Sequence, residues 1–275
     1  MPFRPIARLI VTRPEPEASA WADALRGLGW PAHAWPLIEI GEPAAGVQAT
    51  ALARWRRDWV RCDALLFVSG AAVQHFFAPG RVERPREPVP TRFWAPGPAT
   101  ARSLARALDG LGLGPDRIDS PPPDSPQFDS EHLWPVVAPQ VDHGTRVLVV
   151  RGHSVDSSPA DAAGNGRDWL IERCRAAGAA VHTCAAYQRR PPALDAADRA
   201  RLAGGTGPDQ VWLFSSSEAF KPLEGLGADW SRTAALATHP RIAEGARALG
   251  FGEVIGCRPA VTEVVRALES AGYRP

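Results

Sequence analysis

A chain of 275 residues can bury one large α/β core or two of ordinary size, and two is the expectation. Its 31 Lys plus Arg balance 30 Asp plus Glu, and no dense basic stripe interleaved with aromatics occurs, which excludes the electrostatic footprint of a nucleic-acid binder. Lys221 is the sole lysine, so covalent chemistry through an amine is restricted to one position.

In chain order, RLIV (8–11) is the first short apolar run that reads as a strand buried on both faces. EASAWADALRGLG (17–29) follows as a helix with Ala18, Trp21, Leu25 and Leu28 on one side. The same alternation returns at ALLFV (64–68), RFWA (92–95), RVLVV (146–150), QVWLF (210–214) and AALA (234–237), which predicts parallel sheets with crossover helices. PGRVERPREPVPT (79–91) follows a helix and so falls at the opposite sheet edge, with no function assigned. HSVDSSPADAAGNG (153–166) is a long loop, expected to be mobile and either a cover over a ligand or a solvated insertion.

The cysteines, Cys62, Cys174, Cys184 and Cys257, are widely spaced in apolar surroundings, as expected of packed free thiols in a reducing cytoplasm. The opening MPFRPIARLIVTRP lacks the long apolar stretch of an export signal, and no run approaches the ~20 apolar residues of a membrane span. A soluble chain with no membrane partner is expected.

The second half overlays the first in order. RLIVTRP (8–14) matches RVLVVRG (146–152), and LRGLGWPAHAWPLIEI (25–40) matches CRAAGAAVHTCAAYQR (174–189). DALLFVSGAAV (63–73) matches DQVWLFSSSEA (209–219), APGPATA (95–101) matches ATHPRIA (237–243), and DSEHLWPVV (129–137) matches VTEVVRALE (261–269). Two similar lobes are the natural reading.

Loops leaving the carboxyl ends of such strands gather on one sheet edge, where ligands bind. Here they carry Thr12, Arg13, Ser69, Gly97 to Thr100, Asp119 to Pro126, Arg151, Ser215 to Ser217, and Thr238 to Arg241. Any one of Ser69, Ser215 or Thr238 is read most simply as a helix cap. Their recurrence in both lobes points instead to a shared site for an anionic ligand, held by hydroxyls and by backbone N–H groups at helix starts. Nucleotide, P-loop, zincin and α/β-hydrolase motifs are all missing, and His33 and His182, although equivalent in the repeat, lack the partners of a metal site, so no metal is expected.

The ordered motifs resemble the uroporphyrinogen-III synthase family over almost the whole chain. The resemblance rests on Val11 to Pro14, Gly29, Pro36 to Ile40, DALLFVSGAAV, APGPATA, Phe128 to Leu133, Arg151-Gly152, Arg167 and Leu170, AAYQR, FSSSEA and ATHPRIAEGARALGF. One turn departs from it: where many members resemble Gly-Pro-Thr-Thr-Ala, this chain has His239-Pro240-Arg241-Ile242-Ala243, leaving Arg241 to meet a carboxylate. The resemblance implies two flavodoxin-like α/β/α lobes with parallel sheets, 1–36 with 189–275 and 40–180, joined by connector strands 33–40 and 181–189. It implies cyclisation of hydroxymethylbilane to uroporphyrinogen III, with inversion of the last pyrrole ring and loss of water, and no cofactor. It places substrate contacts at Thr12, Arg13, Pro14, Ser69, Gly97, Thr100, Arg151, Ser215, Ser216, Ser217, Thr238 and Arg241. A cytoplasmic monomer is expected, with transient contact to the preceding pathway enzyme. The competing class is a non-catalytic two-lobe binding protein for a polycarboxylate or tetrapyrrole; a tetrapyrrole methyltransferase would need a glycine-rich nucleotide site, and the chain shows none.

Tyr187 is one of two tyrosines, and its repeat equivalent is Ile38. Two readings stand: the ring packs at the connector, or the phenol, protonated at neutral pH, donates to the departing hydroxyl.

Overall fold

The computed structural model describes residues 4–154 and 166–275. The chain runs β1 (Arg4–Pro5), β2 (Arg8–Val11), α1 (Glu17–Gly27), β3 (Ala32–Ala34), β4 (Glu39–Gly41), α2 (Val47–Asp58), β5 (Ala64–Phe67), α3 (Gly70–Phe76), β6 (Arg92–Trp94), α4 (Pro98–Gly110), β7 (Ile118–Asp119), α5 (Ser130–Val137) and β8 (Arg146–Ser154). It continues through α6 (Gly166–Ala176), β9 (Ala180–Arg190), α7 (Ala196–Ala203), β10 (Gln210–Phe214), β11 (Ala234–Ala237), α8 (Pro240–Leu249), β12 (Glu253–Gly256), α9 (Val261–Ser270) and β13 (Tyr273–Arg274). Two compact units result, one of residues up to 40 with 190–275, the other of Gly41–Arg189.

The first unit is built on a five-stranded sheet in the order β12-β11-β10-β2-β3, with parallel pairing throughout. Because side chains alternate across a strand, its apolar runs feed two cores. Ile10, Trp212, Phe214, Ala235 and Ala237 join Phe220, Trp230, Ile242 and Phe251 on one face. Leu9, Val11, Val211, Leu213 and Leu236 join Leu25, Trp30, Val264, Leu268 and Tyr273 on the other. Buried runs such as QVWLF therefore need no polar alternation.

The second unit is built on the sheet β4-β9-β8-β5-β6-β7. Ala64, Leu66, Val68, Trp94, Val147 and Val149 pack with Leu133 and Val137 of α5 and Leu170, Ile171 and Cys174 of α6. On the other face Phe67 meets Phe76 edge-on, and Phe93 lies 5.7 Å from Trp59 between ring centroids.

Read from β10, the first sheet has the order 3-2-1-4-5, the same as five strands of the second read from β5, with β4 added beyond β9. The repeat in the sequence is thus a repeat of topology. In each sheet the order reverses between two strands, β10/β2 and β5/β8, which is where open α/β sheets bind ligands at their carboxyl ends.

Two expectations are corrected. Of the stretch 33–40, only Glu39 and Ile40, in β4, lie beside β9; Ala32–Ala34 pairs with β2, since Ala32 opposite Leu9 completes a core face. Residues 181–189 belong to β9, which runs along β8 from Ala180, with β4 on its other side. Leu28 is 53% exposed, because α1 ends at Gly27 and buries Ala18, Ala22 and Leu25 instead. The expectation for loop 153–166 falls, over 155–165, outside the described residues.

Candidate functional site

Each unit gathers its candidate residues at the carboxyl edge of its own sheet. In the second unit Ser69 follows β5 and caps α3, its Oγ accepting the Ala72 N–H at 3.1 Å. Arg151 and Gly152 lie at a register shift in the pairing of β8 with β9, and Gly152 stands opposite Tyr187. The Tyr187 ring is 1% exposed. Its Oη lies 3.4 Å from Ser69 Oγ and accepts from Arg189 Nη2 at 3.4 Å. Either hydroxyl of the Ser69–Tyr187 pair can donate to the other, and Ser69, half-buried, forms the outer member of the pair.

Glycine at 152 has a steric cause. A Cβ there would sit 2.7 Å from Tyr187 Oη and closer still to ring atoms Cε2 and Cζ. His75 packs 5.5 Å from the same ring, and burial pushes its imidazole pKa below the ordinary value, with the Glu42 carboxylate opposing. The neutral imidazole adds no charge beside the phenol. Arg56, buried at 6% exposure, donates to the backbone carbonyls of His75 and Phe76 and pairs with Glu42 at 2.9 Å, fixing this end of α3.

Arg151 donates to Asp168, in the first turn of α6, at 3.4 Å. Gly97 caps α4, with Pro98 at the first helical position, so the cap carries no side chain and leaves the turn open. Thr100 lies in the first turn of α4 and is buried.

In the first unit Thr12 is buried and its hydroxyl donates to the Leu213 carbonyl at 2.8 Å. That hydroxyl ties β2 to β10 and is not directed at solvent. Arg13 donates to Ser215 Oγ at 2.8 Å, and its Nε and Nη2 both donate to Glu17 Oε2, at 3.0 and 2.8 Å. The same guanidinium lies 4.5 Å over Trp21. Pro14 follows, half-buried.

The caps differ from the sequence reading. Ser216, not Ser215, caps the short 3-10 turn Ser217–Leu223, accepting the Glu218 N–H, and His239, not Thr238, caps α8 through Nδ1. Thr238 is half-buried and Arg241 exposed, with no ion pair among the described residues. The strand registers explain the first difference. Ala64 pairs with Val147 where Val211 pairs with Leu9, so Ser69 is equivalent to Ser216, one residue later than the sequence overlay had it.

His33 and His182 keep equivalent places, beside Ile10 and Leu148. His182 lies tilted against Trp55, with ring centroids 5.1 Å apart. Among the described residues no group of three or more His, Cys, Asp or Glu is gathered to hold a metal ion, and no helix is long and apolar enough to cross a membrane. A concavity of about 440 Å³ lined by Asp63, Pro90, Arg92, Trp94 and Gln140 lies at the amino edge of the second sheet, away from these residues.

Sequence reasoning missed Glu17, Asp168 and Gly152 as site residues. Glu17 was detectable as the i+4 partner of Arg13. Asp168, 17 residues from Arg151, carries no local signal.

The family model described as uroporphyrinogen-III synthase HemD matches residues 19–265. A curated uroporphyrinogen-III synthase of Salmonella typhimurium is 29% identical over 254 residues, which span 90% of this chain and 93% of that one. The crystal structure of uroporphyrinogen-III synthetase from Helicobacter pylori matches 96% of this chain and 99% of its own at 12% identity and a TM-score of 0.54, a likeness of fold. With the family model spanning most of the sequence and a synthase of similar length aligned nearly end to end, the chain belongs to the uroporphyrinogen-III synthase family.

Proposed function

We propose that this chain is a lyase that cyclises hydroxymethylbilane to uroporphyrinogen III, inverting the last pyrrole ring and releasing water. The observation that carries the reading is the recurrence, at the order-reversal point of both sheets, of an arginine at an equivalent register and a serine cap, Arg13 just past β2 with Ser216 and Arg151, still within β8 and not in the loop expected from the sequence, with Ser69, within a chain of that family.

The substrate is a flexible polycarboxylate that loses its hydroxyl readily, so the protein's task is to fold it and hold its acidic arms. Arg13, Arg151 and exposed Arg241 supply charge-assisted donors. Unpaired N–H groups in the first turn of α4, behind Gly97 and Pro98 and including Thr100, supply more, and Thr238 adds a half-buried hydroxyl beside the α8 cap, whose own first N–H groups are taken by His239. Ser215, Ser216 and Ser217 line the turn after β10, with Ser215 also steadying Arg13. Thr12 and Pro14 shape the Arg13 loop.

Tyr187 is the weak acid of this scheme. Its proton passes toward Ser69, whose hydroxyl, already accepting from Ala72, donates outward to the departing oxygen. The supporting contrast is Ile38, which fills the equivalent place without a hydroxyl. The reaction calls on no cofactor, and the protein is taken to act as a cytoplasmic monomer that receives substrate from transient contact with the preceding enzyme. Catalysis is tested by following hydroxymethylbilane with substoichiometric protein: many turnovers above the spontaneous rate support it, and loss of no more than one equivalent would indicate a binding protein.

A further inference from the structure

Arg13 and Arg151 occupy the same position in the two sheets, and in both cases the guanidinium is taken by a carboxylate from the first turn of the next helix. The sequence routes differ: Glu17 is four residues from its arginine, Asp168 seventeen. What recurs is the chemistry.

Neither pair is sealed from water. The Glu17 side chain is 56% exposed, and Arg151 and Asp168 are 36% and 35% exposed, so each contact exchanges at small cost. Their geometry is also unsaturated. Glu17 uses one oxygen for both contacts, and Asp168 receives a single bond at 3.4 Å. A carboxylate arriving from outside could take two parallel bonds instead. Arg13 would stay in place during the exchange, because Ser215 holds Nη1 and Trp21 holds the face of the guanidinium.

We propose that Glu17 and Asp168 are place-holders for the carboxylates of the ligand, occupying the two arginines when the site is empty and leaving when an acidic arm binds. This rests on the reading that these loops hold a polycarboxylate. The gain is in release. Cyclisation leaves every carboxylate of the substrate on the product, so arginines that gripped carboxylates without competition would bind both equally and slow product departure. An internal competitor weakens that uniform grip while keeping each arginine oriented.

The test is titration with uroporphyrin, the stable oxidised polycarboxylate macrocycle, at fixed ionic strength, read by quenching of tryptophan fluorescence. Glu17→Gln and Asp168→Asn should each tighten binding about two- to fivefold. Glu263→Gln, which removes one negative charge from an exposed pair with Arg266 on α9, should leave the affinity unchanged. In an Arg13→Gln background Glu17→Gln should give no gain, a readout that a general charge effect would not produce. Equal or weaker binding by the Glu17 and Asp168 variants, or an equal gain with Glu263→Gln or without Arg13, would overturn the proposal while wild-type binding and turnover stand. Should Asp168→Asn fail to fold by its melting curve, the Glu17 and Arg13 cycle decides alone. Wild-type protein that neither binds uroporphyrin nor consumes hydroxymethylbilane would overturn the functional reading, and this inference with it.

Discussion

Replacing Gly152 with alanine tests how the Tyr187 phenol is held. The added Cβ would lie 2.7 Å from Oη and closer to Cε2 and Cζ, whereas non-bonded carbons rest at about 3.5–4.0 Å. The ring must therefore withdraw by about 1 Å. It is 1% exposed, with His75 against it, so withdrawal displaces packed neighbours. Overpacking of this kind costs about 1–3 kcal/mol, and a unit of this size melts about 2–4 °C lower for each kcal/mol. The same withdrawal carries Oη away from Ser69, so turnover should fall together with stability. Denaturant titration and turnover assays on Gly152→Ala, Tyr187→Leu and the double variant separate the two effects. With the phenol ring gone, the alanine should cost less than about 0.5 kcal/mol, giving a coupling energy near 1 kcal/mol or more. Equal costs in both backgrounds, or a Gly152→Ala protein with wild-type stability, would refute the reasoning.

Tyr187→Phe keeps the ring and gives up two contacts of 3.4 Å, so melting should hardly move while turnover drops by about 10²-fold; wild-type turnover at saturating substrate would rule out the acid role. Thr12→Val removes a buried donor to Leu213, costing about 0.5–1.5 kcal/mol in a denaturant titration, with uroporphyrin affinity unchanged because the hydroxyl faces inward. The thiols predict an alkaline limit. Burial pushes Cys62, Cys174 and Cys257 up to about 11 and Cys184 up to about 12, so the folded state favours the protonated form. Their contribution is complete below the ordinary thiol range near ~8.5 and is lost as pH rises toward the folded values. Melting temperature should fall between about pH 9 and 12, and a variant with all four cysteines replaced by alanine should show a shallower fall; an unchanged slope would contradict this.

The central strands were legible because burial on both faces forces continuous apolar runs: RLIV, QVWLF and AALA coincide with β2, β10 and β11, ALLFV covers β5, and RVLVV marks the first half of β8, which continues to Ser154. Edge strands are less enclosed, β7 being half-exposed on one side and β12 half-exposed or exposed at every position, so Ile118-Asp119 and Glu253–Gly256 carry no such run. The hydroxyl-bearing turns were legible from strand ends, but their caps slipped by a residue, since Ser215, Ser216 and Ser217 are chemically alike and only strand register distinguishes them. That Thr12 turns inward, and that Gly152 yields to a tyrosine 35 residues later, depend on pairing across a sheet, which no local pattern encodes.

The account stands most directly on the isomer made. Freshly prepared hydroxymethylbilane should be incubated with catalytic protein, the products oxidised, and the type I and type III uroporphyrins separated by chromatography. Type III as the main product, formed faster than spontaneous closure, is the predicted result. Type I alone, at the spontaneous rate, would contradict it.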